Sequence, residues 1–383
     1  MNIEEQADIL AQRLMGWEQN ALQRIGKRIK ERGKLTKADL QTINNIADVK
    51  ADIDDIMQEL SAITGQNIAD VQKMYSDLLE EQHLTNQPLY DYRNKTFVPF
   101  AENKQLQAIV TAYARETANT MINLSKTKML GFFDEATGFK GLQETYLETL
   151  DKAVAEVASG ATDFYTAMRE TIENLGGSGL RVDYGGGVTR RIDTVVRQNL
   201  LWGAKQASIA YNDRIGEEVG ADGFEVDWHS NPRPSHEFMQ GKQFAYGKAK
   251  TVDGIYYPPG DEALERLQDY NCQHYKKPII LGVTEPTFSK EELARLNEQN
   301  KKEYTIDGNT GNGYYWSQRM RVLEVEIRKQ KDTMNLAQAS GDNELVKSCR
   351  QKIKAYNAKY NEISEVTGIA KQPKRMAVAK QNT

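Results

Sequence analysis

Residues able to do metal or nucleophilic chemistry crowd into one stretch of an otherwise histidine-poor chain. The sequence has four histidines in 383 residues. Three of them, His229, His236 and His274, fall within 46 positions, together with Cys272. Two or three imidazoles and a thiolate are donors that Zn²⁺ accepts in a tetrahedral site. The spacing supports this poorly. Cys272-Gln273-His274 is tighter than the usual ligand gap, and Pro232 and Pro234 keep His229 and His236 off a common helix face. Cys272 with one of these histidines as base could also act as a nucleophile, since a thiolate needs a nearby base or cation. No nucleophile elbow or oxyanion-hole signature surrounds it. The reading adopted is structural: the histidines hydrogen-bond within a small module and lock its turns. A zinc-dependent hydrolase at His229, His236, Cys272 and His274 is the alternative.

Arginines and glycines form a second group. Gly176-Gly177-Ser178-Gly179 and Gly185-Gly186-Gly187 suggest a phosphate loop, but neither is followed by Gly-Lys-Ser/Thr. They read as a flexible stop and a tight turn. Arg181, Arg190, Arg191 and Arg197 make a basic patch beside this hinge. Such a face can meet phosphate or a carboxylate-rich partner, which makes DNA binding a second alternative.

The elements that must position these residues are mostly helical. Leu10, Leu14, Trp17, Ala21 and Ile25 recur at three- and four-residue steps. A second helix is expected from Thr36, with Leu40, Ile43, Ile53, Ile56, Leu60 and Ile63 on its apolar face. Residues 86–102 read as a loop. Helix resumes with Leu106, Ile109, Val110, Tyr113, Ala114 and Met121, where Thr117 is the one polar residue on the face. Two more helices are expected over 139–158 and 161–175, and a long one over 188–219 capped by Gly220. From Phe224 the pattern alternates and reads as a strand. Residues 231–283 hold prolines, glycines and aromatics, with helical period only over 261–269 and a buried strand at Ile279-Ile280-Leu281. Trp316, Met320, Leu323, Ile327, Met334 and Ala337 form one stripe, and Cys349, Ile353, Tyr356, Tyr360 and Ile363 another. The Ser340-Gly341-Asp342 break between them makes an antiparallel helical hairpin. The tail after Gly368 reads as mobile.

Composition bounds the function. With 50 Lys+Arg against 54 Asp+Glu the net charge is -4, which argues against a nucleic-acid coat. A mean hydropathy of -0.67 suits long amphipathic helices with one buried stripe each. Two cysteines exclude a disulfide scaffold and fit a reducing compartment. The acidic opening does not read as a signal peptide, and no apolar run is long enough to span a membrane as a helix.

Residues 225–283 then show a pattern. The string DWHSNPRPSHEFMQGKQFAYG, followed by YYPPG and YNCQHYKKPIILGV, resembles the phage minor capsid and head-morphogenesis proteins of the MuF-like group, and within them the phage minor capsid protein 2 family. The matching positions are Arg233, Pro234, His236, Gly241, Lys242, Pro259, Gly260, Asn271, Cys272 and His274. The helix TRRIDTVVRQNLLWGAKQASIAYNDRIG resembles the one that leads into that module. His274 stands where many MuF-like members have Cys, which weakens a two-cysteine metal clip. The resemblance implies a non-enzymatic structural protein of the virion. It would associate with portal or capsid proteins during head assembly in the host cytoplasm, with packaged DNA a further partner and no membrane. No cofactor is expected, zinc being the alternative.

The expected fold is mainly α with a small α+β module. The expected parts are a helical region over 1–180, the MuF-like module with its lead-in helix over 181–285, a linker over 286–315, the helical hairpin over 316–368 and a basic flexible tail over 369–383.

Overall fold

The computed structural model describes residues 3–32, 46–126, 130–134, 138–142, 144–145, 164–185, 188–269 and 271–376. The chain is mainly α with a small α+β part, as the periodicities predict. No helix of the described residues is long and apolar enough to cross a membrane.

Helix α1 (Ile3–Arg32) buries Ala7, Leu14, Trp17, Ala21 and Ile25, and Trp17 Nε1 donates to the Ile56 carbonyl at 2.9 Å. That bond ties α1 to α2 (Ile46–Tyr92). The expected second-helix start at Thr36 lies outside the described residues. Residues 86–92 are helical rather than loop. Pro88 costs this helix one backbone donor, and the Asn86 side chain donates to the Gln82 carbonyl at 3.1 Å just before it. The true loop begins at Arg93 and is pinned by His83. One ring nitrogen of His83 meets Tyr211 Oη at 2.9 Å, the other the Val98 carbonyl at 2.8 Å, and the ring stacks on Phe97.

Helix α3 (Lys104–Lys126) packs on α2 and on α5 (Ile192–Val219). Its odd polar residue, Thr117, is explained there. Its Oγ1 lies 2.9 Å from Tyr75 Oη, which also donates to the Leu200 carbonyl at 2.9 Å. Between α3 and α5 lies an antiparallel sheet in the order β2-β1-β3-β4 (Gly138–Gly141, Leu130–Asp134, Arg181–Asp183, Thr189–Arg191). The helix expected from 139 is therefore a strand at its start, and 146–163 lie outside the described residues. Helix α4 (Phe164–Ser178) runs through Gly176 and Gly177 and stops at Gly179, whose φ is 62°. Helix α5 starts at Ile192, not 188, because Thr189–Arg191 pair with β3. It ends at Gly220, left-handed at φ 64° as its glycine allows.

The module proper is a three-stranded sheet, β6-β5-β9 (Gln243–Ala245, Gly223–Val226, Lys276–Ile279), with hairpin β7–β8 (Lys250–Val252, Ile255–Tyr257) and helix α6 (Asp261–Leu267). The strand expected from Phe224 ends at Val226. The strand expected at 279–281 ends at Ile279, beyond which Leu281 N donates to Asp222 instead. Residues 286–315, expected as a linker, are ordered as α7 (Lys290–Lys301) and hairpin β10–β11 (Glu303–Ile306, Asn309–Asn312).

Helices α8 (Gly313–Ser340) and α9 (Asn343–Thr367) form the expected hairpin, with Asp342 capping α9 through Leu345 N at 3.0 Å. Helix α8 also packs on α1 and α4. The tail does not hang free as far as it is described. Pro373–Met376 forms a 3-10 turn, Met376 is buried, Gln12 donates to the Lys374 carbonyl at 3.0 Å and Arg375 pairs with Glu4 at 3.1 Å. Residues 377–383 lie outside the described residues. The largest apolar core crosses position 180, taking in residues from Ala7 to Cys349. A smaller core, with Phe224, Val226, Met239, Phe244, Leu267 and Cys272, serves the module.

Candidate functional site

The module's turns bring three of the four candidate donors together. Pro234 opens a 3-10 turn, Pro234–His236, and places His236 inward. Asn271 adopts φ 60°, a conformation that Asn tolerates better than most residues, and turns the chain so that Cys272 and His274 face the same interior. The donor atoms of His236, Cys272 and His274 lie within 4.8 Å of one another, and all three residues are buried. Cys272 Sγ stands 3.7 Å from His274 Nδ1. In a tetrahedral zinc site a thiolate sulfur and an imidazole nitrogen stand about 3.6 Å apart, so this edge of the set fits a metal. His229 lies outside the set. Its ring packs on His274 with centroids 4.2 Å apart, and its Nδ1 faces the Ser230 carbonyl at 3.1 Å.

Polar neighbours fix the imidazoles. His236 Nε2 meets Asp269 Oδ2 at 2.9 Å, and Arg233 and Arg266 stand 3.9 and 3.8 Å from the same oxygen. The hydrogen bond with His236 is the largest cause holding the Asp269 carboxyl below its usual range. His274 Nε2 meets Gln240 Oε1 at 3.1 Å, and the same oxygen accepts from His229 N at 3.2 Å. Burial, and then the neighbouring His229 and His236, push His274 down to about 2. Burial also lowers His229 and His236. Neutral rings are the form that ligates a metal, and a carboxylate behind a ligating histidine is the usual support.

The remaining motif positions build the scaffold. Gly241 sits at φ 63° with α7 packed so close that an added Cβ would strike Leu293. Lys242 is exposed and contributes its carbonyl to Val226 N at 3.0 Å. Pro259 bridges Ala245, and Gly260 leaves room for the Phe224 ring.

A model of the family described as phage minor capsid protein 2 matches residues 4–363. The chain belongs to the phage minor capsid protein 2 family. No curated protein and no solved structure matches it. Membership makes it a structural phage protein whose surfaces meet other head proteins.

In this minor capsid protein the basic patch is dismantled. Arg191 is buried against Glu18 and Asp332. Arg197 pairs with Asp8 and Glu4, Arg181 donates to Thr189 Oγ1 at 2.8 Å, and Arg190 donates to Gln198 at 2.9 Å. The four do not share a free face. Sequence reasoning missed Asp269, Gln240 and Lys205, whose Nζ donates to the Cys272 carbonyl at 3.0 Å. Asp269 lies three positions before Cys272, a weak local signal. Gln240 and Lys205 carry none, because a turn and a helix from elsewhere deliver them.

Proposed function

We propose that the protein is a non-enzymatic minor capsid protein that docks at the portal vertex during procapsid assembly in the host cytoplasm and stays in the virion. The observation that carries the reading is the state of the His/Cys cluster. His236, Cys272 and His274 are at most 7% exposed and are knitted to Asp269 and Gln240. Both imidazoles lie inside the module's own core and Cys272 alone of the three borders a cavity, so the cluster serves as a fold lock and the helices around it serve as docking surfaces. Cross-linking of purified procapsids and virions tests this. Cross-links to the portal protein and retention in the mature particle are expected. Absence from the mature particle, or links only to distant coat subunits, would overturn it.

The meeting of three buried donors favours a second reading of the same lock, a structural zinc held by His236, Cys272 and His274. Zinc would there cross-link the turn at 234–236 to the loop at 271–275. Elemental analysis of the purified chain decides it. Stoichiometric zinc lost in both Cys272→Ala and His236→Ala supports the site, and zinc-free protein with a native melting temperature removes it.

A further inference from the structure

Two adjoining cavities of about 150 and 190 Å³ lie where α5, α8, the loop at 271–275 and the docked tail converge. Arg197 and Arg321 line both; Lys205 lines the first and Arg375 the second. Glu4 and Asp8 of α1 are the carboxylates that answer them. Arg197 takes Asp8 through Nε and reaches Glu4 at 3.5 Å. Arg375 draws on the same two acids, at 3.1 Å from Glu4 and 3.9 Å from Asp8, and its Nε is buried without a hydrogen bond.

The other two cations have no carboxylate at ion-pair distance among the described residues; Asp227 and Asp269 act on Lys205, and Glu324 and Glu4 on Arg321, only from further off. Lys205 is 2% exposed and donates only to a backbone carbonyl among the described residues. Arg321 makes no hydrogen bond or ion pair among the described residues. Arg321 is exposed, and the positive charges of Arg375 and Arg197 repel its own. A third acid, Glu324, borders the second cavity, but it is buried, accepts the Tyr360 hydroxyl at 3.0 Å, and has its pKa raised by that burial. The two cavities together are lined by six cations, Arg197, Lys205, Arg321, Arg328, Lys374 and Arg375, against four acids, Glu4, Asp8, Asp193 and Glu324, of which Asp193 is taken by Arg328, in a chain whose net charge is -4.

Like charges gathered at a cleft repel one another and raise the local concentration of anions. Guanidinium forks suit an oxyanion with several acceptor oxygens, and an ammonium adds a point charge. We propose that this cleft is a binding site for a phosphate group, with Arg321 and Lys205 as its receptors and Arg197 and Arg375 as its flanks. Free phosphate and the phosphodiester of a nucleic-acid strand share this chemistry. The patch expected at Arg181–Arg197 contributes only Arg197, and the other three cations come from a different part of α5, from α8 and from the tail.

The test uses the full chain at low salt, with inorganic phosphate, a nucleotide and short single-stranded and duplex oligonucleotides as probes. Melting temperature and calorimetric binding are read in parent, Arg321→Gln and Arg321→Lys. Arg321→Gln should weaken binding roughly tenfold, as losing a charged hydrogen-bond donor does. It should leave the melting temperature without phosphate unchanged or slightly higher, and Arg321→Lys should be intermediate. Binding of phosphate or nucleotide alone assigns a free-phosphate site. Oligonucleotide binding that weakens with Arg321→Gln and with added salt assigns a strand contact. No probe binding, or binding that Arg321→Gln leaves unchanged, overturns the proposal.

Discussion

Arg191 and Glu18, 173 positions apart in the chain, meet at 3.2 Å in the protein interior. The same arginine nitrogen reaches Asp332 of α8, and Glu18 also accepts Leu180 N at 2.7 Å. Asp193 of α5 pairs with Arg328 of α8 beside them. The start of α5, the first helix and the hairpin are thus joined by one buried ionic knot. Its three carboxylates outnumber its two guanidiniums. Burial is the largest cause that raises Glu18 to about 7, with Arg191 opposing it.

That shift has a sign. Unfolded, Glu18 loses its proton near 4.5, whereas folded it holds the proton to about 7. The folded state binds more protons across this window, so the contribution to stability is full below 4.5 and is lost as pH rises to about 7. Glu18→Gln should flatten the fall in melting temperature between pH 5 and 7, measured by scanning calorimetry against the parent chain. An unchanged slope would contradict the raised pKa.

Removing one partner of the knot should cost more than replacing it with apolar bulk. Arg191→Ala leaves Glu18 and Asp332 buried without their cation, and should cost about 3–5 kcal/mol in chemical denaturation. Arg191→Met paired with Glu18→Leu should recover a substantial part of that loss. Equal losses for the single and the paired variants would show that the knot is not energetically coupled.

Gly203 lets α5 approach the Tyr75–Thr117 pair. A Cβ there falls inside contact distance of both hydroxyls. Gly203→Ala should therefore destabilise the helical region by about 1–3 kcal/mol, although alanine is the better helix former. A stabilised variant would mean that α5 and α3 can move apart freely.

His236→Ala strands Asp269 between Arg233 and Arg266, and Cys272→Ala empties a buried thiol position in the module core. Each should lower module stability by about 1–3 kcal/mol and lower incorporation into virions with it. Particle composition, measured beside thermal melting, checks both halves. Normal incorporation with unchanged melting in either variant would refute the fold-lock reading.

Much of the fold was legible because helix patterns are local. The Trp17 and Ile25 stripe, the α8–α9 hairpin and the left-handed Gly220 follow from three- and four-residue spacing and from one glycine. The misreadings came where the signal is weak or non-local. Thr189–Arg191 look helical until β3 offers them a partner, and Pro88 looks like a helix end until the helix runs on through it. Of the candidate site, His236, Cys272 and His274 were visible as rare residues in one stretch, and the tertiary structure separated His229 from them.

By itself the amino-acid order determined most of the helical stripes, the hairpin and which scarce side chains belong to one module, since each of those facts depends on neighbours a few positions away. Only the tertiary structure decided that Arg191 is a buried keystone, that Gln240 and Asp269 hold the imidazoles, and that Arg321, Lys205, Arg197 and Arg375 share a cleft. Most of those groups come from separate parts of the chain, and no local period records which of them the packing of the helices will bring face to face.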